Sequence, residues 1–230
     1  MKKIILALFV LFTFNFAAQA AQVESISSES TIAAQNRISK IGFNLLNSNR
    51  IPTRAVFYYD TNKTINAATS TRNRYIVFYR GLYNMTNSDD EIAAILAHEI
   101  SHSVDSYDGI FRGFFSDWSY AFSPKKYEYK SDKRAIDYLV KAGYHPVSMI
   151  VVMSKAFPQS RYDWYSTHPL TSRRMMEVYE YIYKKYPEYL VNNPYKNDPY
   201  YQNFLLTSQK NREKFKKKIE TKSKGQVNYL

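Results

Sequence analysis

Residues 88–102 read SDDEIAAILAHEISH, and this stretch predicts both a central helix and a set of chemically active side chains. Ser88 is followed three residues later by Glu91, a capping-box pattern that predicts the start of a helix. The acidic residues of the first turn suit the positive end of the helix dipole. Apolar residues then recur at helical spacing, so we predict a buried helix that continues to about Val104.

The segment His98-Glu99-Ile100-Ser101-His102 is an H-E-x-x-H motif. Histidines four positions apart share one face of a helix, so both imidazoles can bind the same metal ion. Glu99 lies beside that face, close enough to hold the attacking water, and this combination is typical of zinc hydrolases. The alternative is a pair of surface histidines on an amphipathic helix. The apolar neighbours argue against it, because unpaired histidines and a glutamate are costly to bury without a metal.

A third ligand is needed, and the next predicted helix, which begins at Ser123-Pro124, offers one. Glu128 and Asp132 lie one turn apart on this helix. Glu128 is the better ligand candidate, and Asp132 could accept an N–H from a zinc-bound imidazole and fix its tautomer. The residues alone leave a second interpretation open, in which Glu128 is one solvated charge in the lysine-rich run 125–130.

The composition narrows the class of protein. The 230 residues are enough for one domain of ordinary size, and 45% of them are hydrophobic. The absence of cysteine excludes a disulfide scaffold, a thiolate metal site and a cysteine nucleophile. The formal net charge of +12 suits anionic surfaces in general. Because no nucleic-acid recognition motif accompanies that charge, we expect no nucleic-acid partner.

The first twenty residues have the pattern of a signal peptide. Lys2 and Lys3 precede a short apolar run, and Ala18-Gln19-Ala20 forms a small-x-small cleavage site. Cleavage after Ala20 predicts a mature protein that is exported to a bacterial periplasm or secreted. The alternative is an uncleaved N-terminal anchor, although the apolar run is shorter than the ~18 residues of a spanning helix.

The remaining pattern predicts a mainly helical protein with a small β-sheet, which is an α+β fold. Runs of β-branched and aromatic residues predict two strands with a polar loop between them, and apolar spacing with Pro or Gly punctuation predicts further helices. The expected strands are 55–59 and 75–79, the loop is 60–73, and the expected helices are 26–46, 88–104, 124–143, 146–156 and 171–186. We divide the chain into a signal peptide over 1–20, a peptidase domain over 21–186 and a basic, Tyr- and Asn-rich extension over 187–230.

The chain resembles the family of zinc endopeptidases that includes HtpX, the CAAX prenyl proteases and BepA. The resemblance runs from about Ile32 to Tyr186, and its motifs occur in the family's order. The matching segments are Asn66-Ala67, the strand over 75–78 with Gly81-Leu82, the helix that leads into His98–His102, Glu128 with Asp132, and Thr167-His168-Pro169 with Arg174. The polar and basic stretch 68–74 departs from the family, whose members often have apolar and glycine-rich residues there.

This resemblance implies a gluzincin fold, in which two zinc-binding helices lie under a small sheet. It implies one Zn²⁺ per chain and Glu99 as the general base. The implied ligands are His98, His102 and Glu128. Asp132 would be a buried supporting carboxylate, sometimes described as a proton donor.

The resemblance also implies that His168 and Arg174 line the cleft opposite the metal. Two roles stay open for His168: it donates a hydrogen bond to the oxyanion, or it occupies the open coordination position in the resting state. Arg174 falls in the first turn of a helix, where a cation is unfavourable. We therefore also expect a nearby acidic partner for it, such as Glu177 or Glu128.

We expect an exported zinc-dependent metalloendopeptidase in cell-envelope protein quality control, whose substrates are misfolded or envelope proteins and peptides. The alternative is a zinc-stabilised binding or chaperone-like envelope module with latent or no proteolytic activity. Glu99 discriminates between the two, because structural zinc needs no general base and normally takes a fourth protein ligand. The basic extension either contacts an anionic membrane or cell wall, or is a solvated, partly ordered tail.

Overall fold

The computed structural model describes residues 30–52, 54–70, 75–107, 124–156, 171–222, 227 and 229. The predicted signal peptide, the segment 109–122 and His168 lie outside these residues. The chain divides into two compact units, Met1–Arg37 and Ile38–Leu230. In the first unit, residues 30–37 are described, and they are helical. The second unit contains the sheet and the two predicted metal-binding helices.

Three strands form a mixed sheet. They are β1 (Val56–Asp60), β2 (Ala67–Ser70) and β3 (Tyr75–Tyr79), in the order β1-β3-β2. β3 pairs in parallel with β1 and antiparallel with β2. β2 corrects the prediction that 60–73 is a loop. Its Ala-Ala-Thr-Ser sequence has little strand propensity, and it becomes a strand because β3 offers a backbone ladder to pair with.

Helices make up most of the described chain, which confirms the predicted α+β class. Up to residue 185 the described helices are α1 (30–48), α2 (Arg80–Tyr83), α3 (Asp89–Tyr107), α4 (Pro124–Lys141), α5 (Ser148–Ala156) and α6 (Thr171–Lys185). The central element is α3, which packs against β2, β3, α4 and α5. Its residues Ile92, Leu96 and Ile100 are fully buried in the core, so the predicted apolar face is the face that α3 buries.

The capping box predicted at Ser88 fixes the start of α3. The amide of Glu91 donates to Ser88 Oγ (3.3 Å), and Glu91 Oε2 accepts from the amide of Asn87 (3.2 Å). Glu91 is buried, and Lys155 Nζ on α5 reaches both of its oxygens at 2.8 and 2.9 Å. The first turn of α3 is therefore tied to its own cap and to a neighbouring helix, which holds the following turns in place.

Gly81 shows how closely the chain is packed just before α3. A Cβ at this position would lie 2.1 Å from the carbonyl oxygen of Lys63. Only glycine fits such an approach of two backbone segments. Gly143, two residues after the end of α4, has a φ of +80°, as its predicted role as a helix stop requires.

The C-terminal extension contains helices that the sequence pattern did not predict. They are α7 (Glu188–Val191), α8 (Pro199–Thr207) and α9 (Gln209–Glu220). Asp198 caps α8 by accepting hydrogen bonds from the amides of Tyr200 and Tyr201. Phe204 and Phe215 are buried in the same core as the rest of the second unit. Within the described ranges, no helix combines the length and apolarity needed to cross a membrane.

Candidate metal centre

The three predicted ligands lie together between α3 and α4. His98 and His102 project from one face of α3, and Glu128 lies in the second turn of α4. The two Nε2 atoms are 2.9 Å apart. Glu128 Oε2 lies 3.6 Å from Nε2 of His98, and Glu128 Oε1 lies 3.4 Å from Nε2 of His102. Two imidazoles and one carboxylate thus converge on one point, with all candidate ligand atoms within 4.8 Å of one another.

These distances fit a tetrahedral metal ion. Bonds of ~2.0–2.1 Å from zinc to imidazole and carboxylate imply ligand atoms about 3.3 Å apart at the corners of a tetrahedron. The two Nε2 atoms are 2.9 Å apart, and each lies 3.4–3.6 Å from a different oxygen of Glu128, so the separations scatter around that value and either oxygen is close enough to be the ligand. The donor set is nitrogen and oxygen with no sulfur, which suits zinc and other first-row divalent metals.

Helix α4 also contacts the far side of each imidazole. His98 Nδ1 lies 2.9 Å from Asp132 Oδ1, and His102 Nδ1 lies 3.3 Å from Ser131 Oγ. An ionised carboxylate can only accept a hydrogen bond, so it favours the tautomer of His98 with the proton on Nδ1. That tautomer leaves the lone pair of Nε2 directed at the shared point, which is how histidine ligands are normally oriented.

Arg174 enters this cluster from the first turn of α6. Its Nε and one terminal nitrogen donate to the two oxygens of Asp132 at 2.8 and 2.7 Å. Its other terminal nitrogen lies 3.1 Å from Glu128 Oε2. Arg174 therefore has two acidic partners, and one of them is the expected Glu128. Glu177 instead pairs with Lys133 at 2.7 Å. Arg174 is buried, and it contacts the carboxylates of Glu128 and Asp132 rather than an open cleft.

The charges of this cluster shift the pKa values of its members. Burial alone raises the pKa of Glu128, but the hydrogen bond from His102 and the charges of His98 and Arg174 outweigh it and lower the pKa to about 2. Burial likewise raises the pKa of Asp132, and the charge and hydrogen bonds of Arg174 reverse that effect and lower it. For His98, burial lowers the pKa, and Asp132 outweighs burial and raises it. Both carboxylates are therefore held ionised, as metal ligation requires.

Glu99 directly follows His98 in α3 and is half-buried. Its carboxylate accepts a hydrogen bond of 2.6 Å from Thr69 Oγ on β2. Sequence reasoning misses Thr69, because the polar pattern of residues 60–73 predicts a loop and nothing in it links Thr69 to α3. It also missed the direct pair of Arg174 with Asp132, although the unfavourable position of Arg174 in α6 signalled that an acidic partner was needed.

The fold and the ligand cluster are those of a candidate metallopeptidase, in which two neighbouring helices, α3 and α4, would supply the ligands of one metal ion. Residues 32–112 match the profile of Peptidase family M48. The match includes His98, Glu99 and His102 and ends before Glu128, and it supports this metallopeptidase family without distinguishing HtpX, CAAX prenyl protease or BepA relatives. No curated protein matches the chain significantly.

Proposed function

We propose that this protein is an exported, zinc-dependent endopeptidase of the bacterial cell envelope. The observation that carries the proposal is the convergence of His98 Nε2, His102 Nε2 and a Glu128 carboxylate on one point, with the opposite nitrogen of each imidazole in contact with α4. The match of residues 32–112 to an M48 peptidase profile supports a metallopeptidase function independently of that geometry.

In the proposed reaction, His98, His102 and Glu128 would hold Zn²⁺, which when bound would supply Lewis acidity and lower the pKa of a water toward ~7. Glu99 accepts the proton of the attacking water as the scissile carbonyl is attacked. It then passes that proton to the leaving amine. Asp132 orients His98, and Arg174 stabilises both carboxylates through the contacts described above, so we assign these two residues a positioning role.

A zinc-stabilised binding module is the alternative. Structural zinc sites normally have four protein ligands. In the part of the chain that the structure describes, the cluster supplies three, and the half-buried Glu99 directly follows one of them, His98, in the sequence. A carboxylate at that place has no use in a structural site, and it is the residue that hydrolysis requires. These observations favour the endopeptidase.

Glu99→Gln tests the proposal. Glutamine keeps the size and hydrogen-bonding capacity of the side chain but cannot accept the proton. We expect full zinc content, an unchanged melting temperature and a fall in casein hydrolysis of at least ~10²–10⁴-fold, the usual contribution of a general base. Glu188→Gln, at an exposed position on α7, is the matched control. Wild-type cleavage by the Glu99→Gln protein would refute the assignment of an enzyme.

The proposal that the protein acts in the cell envelope, on envelope substrates, rests on the signal-peptide pattern of residues 1–20. N-terminal sequencing of the protein recovered from the periplasmic fraction or the medium should give a chain that begins at Ala21. Recovery of a chain that begins at Met1 from the cytosol would contradict export. Comparison of envelope proteomes with wild-type and Glu99→Gln protein would then identify misfolded or envelope proteins that accumulate when cleavage is lost.

We also propose that α9 contacts an anionic membrane or cell wall. Phe215 anchors one side of the helix in the core, while Lys210, Lys214 and Lys217 are exposed. Lysines near an anionic surface contribute about 1 kcal/mol each. Changing all three to glutamine should greatly weaken sedimentation with phosphatidylglycerol vesicles at low salt. The control changes the exposed Lys63, Lys141 and Lys196 to glutamine, which removes the same charge elsewhere. Equal losses in both proteins would refute a specific role for α9.

A further inference from the structure

A hydroxyl from the sheet contacts the carboxylate that the proposed reaction needs. Thr69 Oγ on β2 donates to Glu99 Oε2 at 2.6 Å and lies 3.2 Å from the main-chain oxygen of Glu99. A hydroxyl has one hydrogen to donate, and the carboxylate is both the closer and the charged acceptor. The bond to the side chain therefore dominates, and one of the two carboxylate oxygens of Glu99 is occupied by the protein itself.

The backbone of β2 fixes where this hydroxyl lies. Thr69 pairs with Ile76 in the antiparallel ladder of β2 and β3, and Ile76 is buried in the core. The strand also packs against α3. Threonine has a branched Cβ with few rotamers, so a strand threonine places its hydroxyl with little freedom. A rigid donor on the sheet thus contacts a flexible acceptor on the helix.

The flexible partner is the one whose position matters. A glutamate side chain has several rotatable bonds and loses considerable rotamer entropy when it is held. Glu99 is only half-buried, so packing alone does not select one of its rotamers. A short, charge-assisted hydrogen bond to one oxygen selects a subset of them and leaves the other oxygen for the water.

We propose that Thr69 is a positioning residue for Glu99. It holds Oε2, so that Oε1 is the oxygen that accepts the proton. The inference rests on the proposed role of Glu99 as general base.

The test compares three substitutions at position 69 in the mature, zinc-loaded protein, with kcat and KM measured on one fluorogenic peptide derived from casein. Thr69→Val keeps the branched shape and removes the hydroxyl, Thr69→Ser keeps the hydroxyl and removes the methyl group, and Thr69→Ala removes both. We expect Thr69→Val and Thr69→Ala to lower kcat about tenfold, the value of one hydrogen bond to a charged group. KM should change less than twofold, and Thr69→Ser should retain at least half of the wild-type kcat.

The control is Thr64→Val, which removes a hydroxyl bonded to Asn62 in an exposed loop and should leave both constants unchanged. A purely structural role predicts that Ser and Ala variants lose activity alike, and that outcome would overturn the inference. So would a Thr69→Val or Thr69→Ala protein with wild-type kcat. If Thr69→Val does not fold, Thr69→Ala and Thr69→Ser carry the comparison.

The proposed function fails in a different way. If Glu99→Gln is as active as wild type, or if wild type has no zinc-dependent activity, the endopeptidase is refuted and the role of Thr69 falls with it. If wild type is active, Glu99→Gln is inactive and the hydroxyl-free variants have wild-type kcat, only the inference about Thr69 is refuted. The two failures are therefore distinguished in one set of proteins.

Discussion

Asp132 has two roles in the structure: it contacts the imidazole of His98, and it pairs with the guanidinium of Arg174. The substitution Asp132→Asn tests both roles. Asp132 contacts His98 Nδ1 at 2.9 Å and accepts two hydrogen bonds from Arg174 at 2.8 and 2.7 Å. Asparagine has the same size, but one of its oxygens is replaced by a nitrogen that donates. At least one of the contacts with Arg174 and His98 then sets a donor against a donor, and Arg174 keeps only Glu128 as a negatively charged partner in the cluster.

The expected size of the effect follows from these contacts. Removing one partner of a buried ion pair costs about 3–5 kcal/mol. For a chain of this length each kcal/mol lowers the melting temperature by ~2–4 °C, so we expect a decrease of roughly 6–20 °C for the metal-free protein. Loss of the carboxylate behind a histidine ligand typically lowers metal affinity about 10–100-fold. Stability should therefore fall because the ion pair with Arg174 is broken, and zinc affinity should fall because His98 loses its carboxylate partner.

Two assays measure the two effects independently. Thermal unfolding in the presence of EDTA reports stability without metal, and competition with a chromophoric chelator gives the zinc dissociation constant. Asp137→Asn is the matched control, because Asp137 is on the same helix and accepts hydrogen bonds from Tyr181 and Tyr186, away from the cluster. It should leave the zinc affinity unchanged. If Asp132→Asn lowers stability but binds zinc as tightly as wild type, Asp132 does not orient His98 for metal binding.

Two further predictions test the ligand set and the C-terminal packing. Glu128→Ala should reduce the zinc content of the purified protein from near one per chain to a small fraction, measured by atomic emission; full occupancy would remove Glu128 from the site. The pKa of Glu180 is lowered, because hydrogen bonds from Lys184, Tyr229 and Lys218 outweigh burial, which raises it. The folded state thus binds this proton less tightly than the unfolded chain, so Glu180 stabilises above the unfolded pKa of ~4.3, and that stabilisation disappears as pH falls through the folded pKa. Glu180→Gln should lower the free energy of unfolding by about 1.5–3 kcal/mol at pH 7, with a smaller difference from wild type in urea titrations below pH 4; a difference that is constant across pH would contradict the assigned cause.

Much of the fold could be predicted because its signals are local. The capping box at Ser88 and the positive φ of Gly143 are properties of a few neighbouring residues, and they mark helix boundaries within one or two positions. The strand β2 could not be predicted in this way. Its four residues have no apolar alternation, and the strand exists because its backbone groups pair with β3. A partner in the sheet is not visible in the sequence of the strand itself.

The C-terminal helices were missed for a related reason. Only three buried aromatic residues anchor α8 and α9, and charged or polar residues surround them. Those three are Tyr201, Phe204 and Phe215. Their spacing gives too weak a helical period to detect against a polar background. The high Tyr and Phe content of the chain is therefore partly explained by packing, since each large ring buries enough area to hold a mostly polar helix against the core.

The same distinction applies to the candidate site. The pair His98 and His102 is a local pattern, four positions apart on one helix, so sequence alone could bring it to one face. The contact of Arg174 with Asp132 joins positions 42 apart, and that of Thr69 with Glu99 joins positions 30 apart. Neither has a spacing that a pattern could show. Contacts that orient a site come from tertiary packing, whereas the two histidines at its centre can be found from motif spacing.

The charges of the cluster explain why an arginine lies where helix electrostatics disfavour it. A cation in the first turn of α6 costs about 0.3–1 kcal/mol. Glu128 and Asp132 are two buried carboxylates, and leaving either without a positive partner costs several kcal/mol. Because Arg174 contacts both, its net effect is stabilising even in the absence of metal. Among these three described side chains, one guanidinium against two carboxylates leaves one negative charge. A cation held by His98, His102 and Glu128 would compensate that charge, so these fixed charges favour binding of a metal ion.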